Sequence, residues 1–549
     1  MSLTPRALGM DLTISRRDFF DGIAVGCVAA PAKPAQGTPG PAERFTVRGD
    51  TSAALSVPHA LRDGRFWEHA GPAVPTGERY DLVVVGGGRG GAGAAAEWLA
   101  RHPRDRVLIL DNHDDPGGPG DPRDPGDPGD PGRGKALWGP GPFDAVMCDE
   151  ESFGADTLVR VGTPGWVERL PIARRARRDL LALHGDAPDW FPGLTAEGKQ
   201  ERLAELTYSR FLREVCGAHP DVERFCRTMS CAEWGYDTRA FGAIDAWGTG
   251  YPGFGGLGLD REKPSRYNSP TVRGRWHGPA VDSPPLEMTA LERTAPGPGG
   301  PAPGGRAPGG RVRDGRVRVR PGSPVVSVRD GTAAATVGYF DGHRVRTVEA
   351  GAVILACWSA VVPYLVPGLP AERRRALRAA VRVPLVRADV RLREAGAWRR
   401  LGARRVRWTG AYWRACAFAP PDTVRLLATP CRSELGPDAG SAAGRRELFR
   451  TPYDVLERTV RDQLARLLGP AGFDPGRDIA AITVHRWGHA LAPEYCRPWH
   501  AFYPDGPFPA DAARGPFGRI AIAGSDAGPG SRDEAPVLAA RRAVAELSR

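Results

Sequence analysis

Gly86, Gly88 and Gly91 stand at the spacing G-x-G-x-x-G. They follow Tyr80-Asp-Leu-Val-Val-Val85, a β-branched run typical of a buried parallel strand, and lead into the small-residue run Ala92–Ala100. The chemistry such glycines serve belongs to the backbone. The first allows a tight turn, the second lets the chain approach a pyrophosphate, and the third lets a helix pack closely on a strand with its N-terminus toward the phosphates. A second apolar run, Arg106-Val-Leu-Ile-Leu110, ends at Asp111, twenty residues after Gly91. A carboxylate at that place accepts hydrogen bonds from ribose hydroxyls.

Gly117 and Gly118 follow Asp111 by six and seven positions. An acid with a glycine pair at this spacing resembles the glutathione-reductase-type FAD fold, in its flavin amine oxidase branch. The turn and helix alone do not separate FAD from NAD(P). The glycine pair favours FAD. So does the segment 324–349, which reads as a three-stranded meander turning at Asp330-Gly331 and Asp341-Gly342 and feeding a buried strand over 350–358. Near the C-terminus Gly518–Ile522 reads as a strand ending in Gly524-Ser525-Asp526, with a helix over 534–547. The resemblance implies that these three residues contact the flavin's ribityl or pyrophosphate region.

The expected fold class is α/β: a discontinuous Rossmann-like FAD/NAD(P)-binding domain with a β-meander, plus a mixed α+β substrate domain. The nucleotide domain is expected over 78–120, 312–362 and 515–549, and the substrate domain over 150–260 and 365–510. A lead-in covers 33–77. The runs 115–134 and 294–311, rich in Asp-Pro-Gly and in Pro and Gly, cannot bury a core and read as flexible loops. Thr451–Gly469 reads as a helix capped by Thr451, with positions 455, 456, 460, 464, 467 and 468 on its apolar face. Asp149, Glu150 and Glu151 read as a solvated acidic loop.

A narrower resemblance is to secreted, spermidine dehydrogenase-like, FAD-dependent oxidoreductases. The segments that carry it include Ala60-Leu-Arg-Asp-Gly-Arg-Phe-Trp67, Leu110-Asp-Asn-His-Asp-Asp115, Asp245–Phe254, Ile354-Leu-Ala-Cys-Trp358, Asp478–Val484 and Phe517–Ile522, in order along the chain. The resemblance implies oxidation of an amine, a polyamine such as spermidine, by hydride transfer to flavin. It leaves the electron acceptor open. Trp358, at the end of a strand directed to the flavin, and Trp487 and His489, just before the last FAD segment, are the candidate catalytic residues. None of the four lysines, 33, 135, 199 and 263, matches a place beside the flavin. The chain departs from the group after Gly118, where the Asp-Pro-Gly repeat replaces a His- and basic-containing segment. That departure raises a non-catalytic nucleotide-binding relative as the alternative, beside an NAD(P)-dependent dehydrogenase.

The net charge is +11, almost all of it arginine spread among acids, which argues against a nucleic-acid partner. No apolar run is long enough for a transmembrane span. Ser15-Arg16-Arg17-Asp18-Phe19-Phe20, a short apolar stretch and Ala30-Pro31-Ala32 fit a twin-arginine signal over 1–32. The expected location is periplasmic or extracellular. The nine cysteines include no CxxC pair, so no metal site is expected.

Overall fold

The computed structural model describes residues 44–113, 143–261, 263, 266–267, 292–293, 316–492, 494–527 and 535–548. The expected signal segment 1–32, the glycine pair Gly117-Gly118, the Asp-Pro-Gly run and the run 294–311 lie outside the described residues.

Leu82, Val84 and their neighbours explain the first sheet. Leu82 to Val85 are all buried, so this strand has two covered faces, as parallel strands between layers require. The strand Val74–Val85 pairs in parallel with Val107–Leu110, which pairs in parallel with Val317–Arg320. On its other side it pairs in parallel with Val345–Leu355. The expected separate strands 343–349 and 350–358 are one continuous strand. Its outer edge is shared: residues 345–350 pair antiparallel with Ala335–Phe340, and 353–355 pair in parallel with Ile520–Ile522. The meander and the C-terminal strand thus use successive stretches of one edge.

On one face of this sheet Leu82, Val84 and Ile109 pack against Ala94, Ala95 and Trp98 of the helix Arg89–Arg101, and against Ala540, Ala543 and Val544 of the helix Ala535–Leu547. The small residues let the two helices approach: a Cβ at Gly93 would sit 3.6 Å from that of Ala540. On the other face Val83, Val85, Leu108 and Leu110 pack with Phe66 and with the meander's Val326, Val328 and Val337.

The second sheet is mixed. Its strand order is Arg44–Gly49, Ile479–Leu491, Val383–Leu392, Thr423–Ala428, Ala415–Ala419, Arg405–Trp408, Ala145–Cys148, Thr157–Arg160. Part of the lead-in therefore forms an edge strand here, parallel to Ile479–Leu491. The helix Tyr453–Leu468 covers one face through Leu456, Val460, Leu464, Leu467 and Leu468. Two details differ from the expected helix. Thr451 does not cap it; its hydroxyl donates back to the Glu447 carbonyl at 2.9 Å and so belongs to the preceding helix. Val455 is exposed rather than core-facing. Asp149 is likewise no solvated acid. It is fully buried and accepts from the backbone N–H of Ser152, Gly410 and Ala411. Glu151 binds Arg466 at 2.8 Å.

Candidate active site

The glycine loop is shaped by what each position can hold. Gly86 has φ +107°, and a Cβ there would meet the Ala356 carbonyl oxygen at 2.8 Å. Gly91 lies under it. A Cβ at 91 would run into the Gly86 carbonyl oxygen and lie 3.2 Å from Val84 Cγ1. Gly88 differs: it has extended backbone, and no atom lies within 4 Å of where its Cβ would be. The helix Arg89–Arg101 starts there with no side-chain cap and no acid in its first turn. Its first N–H groups and its dipole are therefore offered to an anion.

Gly86, Gly88, Asp111, Trp358, Trp487, His489 and Ser525 line one cavity of about 280 Å³. Arg89, Asp50, His113 and Arg382 also line it. Two strand ends of the first sheet deliver Gly86 and Trp358, while Ile479–Leu491 of the second sheet delivers Trp487 and His489. Gly91 and Gly524 pack behind the wall; a Cβ at Gly524 would lie 2.6 Å from the Cys357 carbonyl oxygen. Asp526 is also behind it, 2% exposed. Its carboxylate accepts from Arg382 Nη1 at 2.7 Å and from the Ser359 N–H at 2.9 Å. Arg382 bonds the Ser525 hydroxyl at 2.8 Å and the Ala490 carbonyl at 2.6 Å, tying the C-terminal segment to the strand of His489.

Asp111 is nearly fully buried, which alone would raise its pKa. His113 and the Gly87 N–H, both bonded to it, hold its carboxyl below the usual range. His113 stands between two carboxylates: Nδ1 lies 3.0 Å from Asp111 Oδ1, and Nε2 lies 3.2 Å from Asp50 Oδ1. Burial opposes its charge, yet the two acids push its pKa up to about 10.

The aromatic wall is compact. The rings of Trp358 and His489 lie 4.4 Å apart, tilted by 32°. Trp487 stacks on His485 at 5.3 Å, with the Arg387 guanidinium 5.6 Å from its ring. Burial, then the neighbouring Arg445, His59 and Arg382, push the His489 pKa well below the usual histidine value, so its imidazole is neutral.

These residues fit FAD. An open glycine, an uncapped helix start, a buried acid at the ribose position and an aromatic wall converge on one cavity. Gly86, Gly88, Asp111 and Ser525 would hold the dinucleotide. Of the described lysines neither lines the cavity, and Lys199 is bonded to Asp189 at 2.7 Å. Among the described residues no group of three His, Cys, Asp or Glu is placed to hold a metal ion, the eight cysteines are free thiols, and no helix is long and apolar enough to cross a membrane.

Sequence reasoning missed Asp50, His113, Arg382 and Arg445. Their one local signal is a charged residue at the edge of an apolar or glycine-bearing segment.

Residues 307–548 match the family described as flavin containing amine oxidoreductase. Solved structures similar to the chain include wild-type putrescine oxidase bound to putrescine, 15% identical over 87% of this chain and 100% of its own, at a TM-score of 0.48. Cyclohexylamine oxidase from Brevibacterium oxydans IH-35A is 14% identical over 85% and 98%, at 0.46. No curated protein matches the chain. The matched family is one of flavin-containing enzymes.

Proposed function

We propose that this chain is a flavin-containing amine oxidoreductase that removes hydride from the carbon beside an amine nitrogen, and that its substrate is a polyamine such as spermidine. One observation carries the reading. Trp358 and His489, ring to ring at 4.4 Å, share a cavity wall with Trp487, Gly88 and Asp111. FAD, when bound, supplies the hydride acceptor.

The chain's own residues do the rest. Trp358 and His489 present paired rings on the cavity wall, a surface that favours the uncharged amine at the reacting end. His489, being neutral, adds no positive charge against the amine and offers a ring nitrogen as acceptor for its N–H. Arg382 is neutralised by Asp526, so its charge is offset locally. The twin-arginine pattern at residues 15–32 supports export of the chain already folded around its cofactor; the electron acceptor would then be one present outside the cytoplasm.

The test is an anaerobic titration of the flavin-loaded chain with spermidine, followed by a simple monoamine. Bleaching by spermidine supports the whole reading. Bleaching by the monoamine alone keeps amine oxidation and discards the polyamine. An oxidised flavin after both overturns the proposal.

A further inference from the structure

Asp50, His113 and Asp111 form a chain of bonds between the two sheets. It starts at the glycine loop, where the Gly87 N–H donates to Asp111 Oδ2. Asp111 Oδ1 meets His113 Nδ1 at 3.0 Å, and His113 Nε2 meets Asp50 Oδ1 at 3.2 Å. Asp50 Oδ2 then accepts the Gly488 N–H at 2.7 Å. Gly488 is the residue between Trp487 and His489. Its carbonyl accepts from Arg445 Nε at 2.6 Å, so both sides of this residue are held by side chains. Asp50 is 0% and Arg445 1% exposed. Acidic and basic side chains alternate along this chain of bonds, so each faces a partner of opposite type.

Neighbouring side chains leave the strand little room to shift. Gly49, beside Asp50, has φ +82°, and a Cβ there would meet Trp487 Nε1 at 2.9 Å. A Cβ on Gly488 would run into the Phe449 ring. The strand end 49–50 therefore sits directly against Trp487, and Asp50 reports the position of that strand to His113.

We propose that His113, bridging Asp111 and Asp50, is a positioning residue that couples occupancy of the dinucleotide site to the placement of Trp487 and His489 on the opposite wall. Asp111 lies where the ribose is to bind, so ordering it orders His113, and through Asp50 the Gly488 peptide. A conformational cost removed at one wall is removed for the other. The inference rests on FAD being the ligand of this cavity.

A double-mutant cycle tests it, with FAD itself as probe. The FAD dissociation constant is measured for the full chain, for Asp50→Asn, for His113→Gln and for the double variant, each checked for folding by circular dichroism. Asp50 directly follows an edge strand of the second sheet, yet its loss should weaken FAD binding about tenfold, as expected when one partner of a charge-assisted bond is removed. The loss should vanish when His113 is already glutamine. At saturating FAD, His113→Gln should also change the visible circular dichroism of the flavin band, because the aromatic wall has moved. Additive effects, or an unchanged affinity and band in His113→Gln, would overturn the coupling. If Asp50→Asn does not fold, His113→Gln alone decides through those two readouts. A parent chain that takes up no FAD overturns the cofactor reading, and the coupling with it; a parent that binds FAD beside indifferent variants overturns the coupling alone.

Discussion

Alanine at Gly88 and alanine at Gly91 add the same methyl group three residues apart, and they should fail in opposite ways. At Gly88 the backbone is extended, φ −69° and ψ −174°, and no atom lies within 4 Å of the new Cβ. The fold should therefore keep its stability to within about 0.5 kcal/mol. The methyl instead stands on the cavity wall where a pyrophosphate must approach. A methyl forced into a packed contact costs about 1–3 kcal/mol, so FAD affinity should fall roughly 5- to 150-fold. At Gly91 the methyl meets the Gly86 carbonyl oxygen, with the Gly86 carbonyl carbon at 3.0 Å and Val84 Cγ1 at 3.2 Å. Two of these are backbone atoms and cannot rotate aside, so the helix Arg89–Arg101 must lift from its strand. That should cost about 3 kcal/mol or more. The assay pairs urea unfolding of the apoprotein, followed by circular dichroism, with FAD binding followed by flavin fluorescence. If Gly88→Ala binds FAD like the parent, or loses as much stability as Gly91→Ala, the division of labour derived for the loop is wrong.

Other expectations follow from the charged groups. His113 has its folded pKa raised to about 10 from 6.5, so its contribution to stability is complete below about pH 6.5 and is lost as pH rises through 10. Subtracting the urea stabilities of His113→Gln from those of the parent should give a difference that shrinks between those pH values; a difference that grows with pH contradicts the assignment. Asp526→Asn removes the carboxylate that faces Arg382, whose side chain is 12% exposed, and should cost about 3–5 kcal/mol in denaturant unfolding. A loss below about 1 kcal/mol would mean Arg382 is held by its other bonds. Replacing Arg16 and Arg17 together by lysine should leave the chain in the cytoplasm on cell fractionation; continued export would remove the twin-arginine reading.

What the sequence carried, and what it could not, divides by distance along the chain. The turn at Gly86, the strand Val107–Leu110, the acid after it and the meander are local patterns, each set by glycine conformations or by alternation within a few residues. The joining of Trp358 to His489 spans more than a hundred residues, and only the side-by-side placement of two sheets brings the rings together. The same holds for Asp50 and His113, whose bond depends on an N-terminal strand pairing in parallel with Ile479–Leu491. No spacing rule reports such a pairing. Asp526 shows a different limit. An acid at the end of a C-terminal strand reads as a ligand group, but Arg382, just before a strand of the other sheet, pairs with its carboxylate. Thr451 shows a third. Its hydroxyl had two helices to serve, and the free carbonyl of Glu447 won over the N-terminus of Tyr453–Leu468.

The most direct test of the account is the visible absorption spectrum of the purified chain, as isolated and after incubation with FAD and removal of the excess. The account predicts a retained flavin spectrum, because the glycine loop, Asp111 and the aromatic wall converge on one cavity. A chain that stays colourless after incubation, while circular dichroism shows it folded, would contradict it.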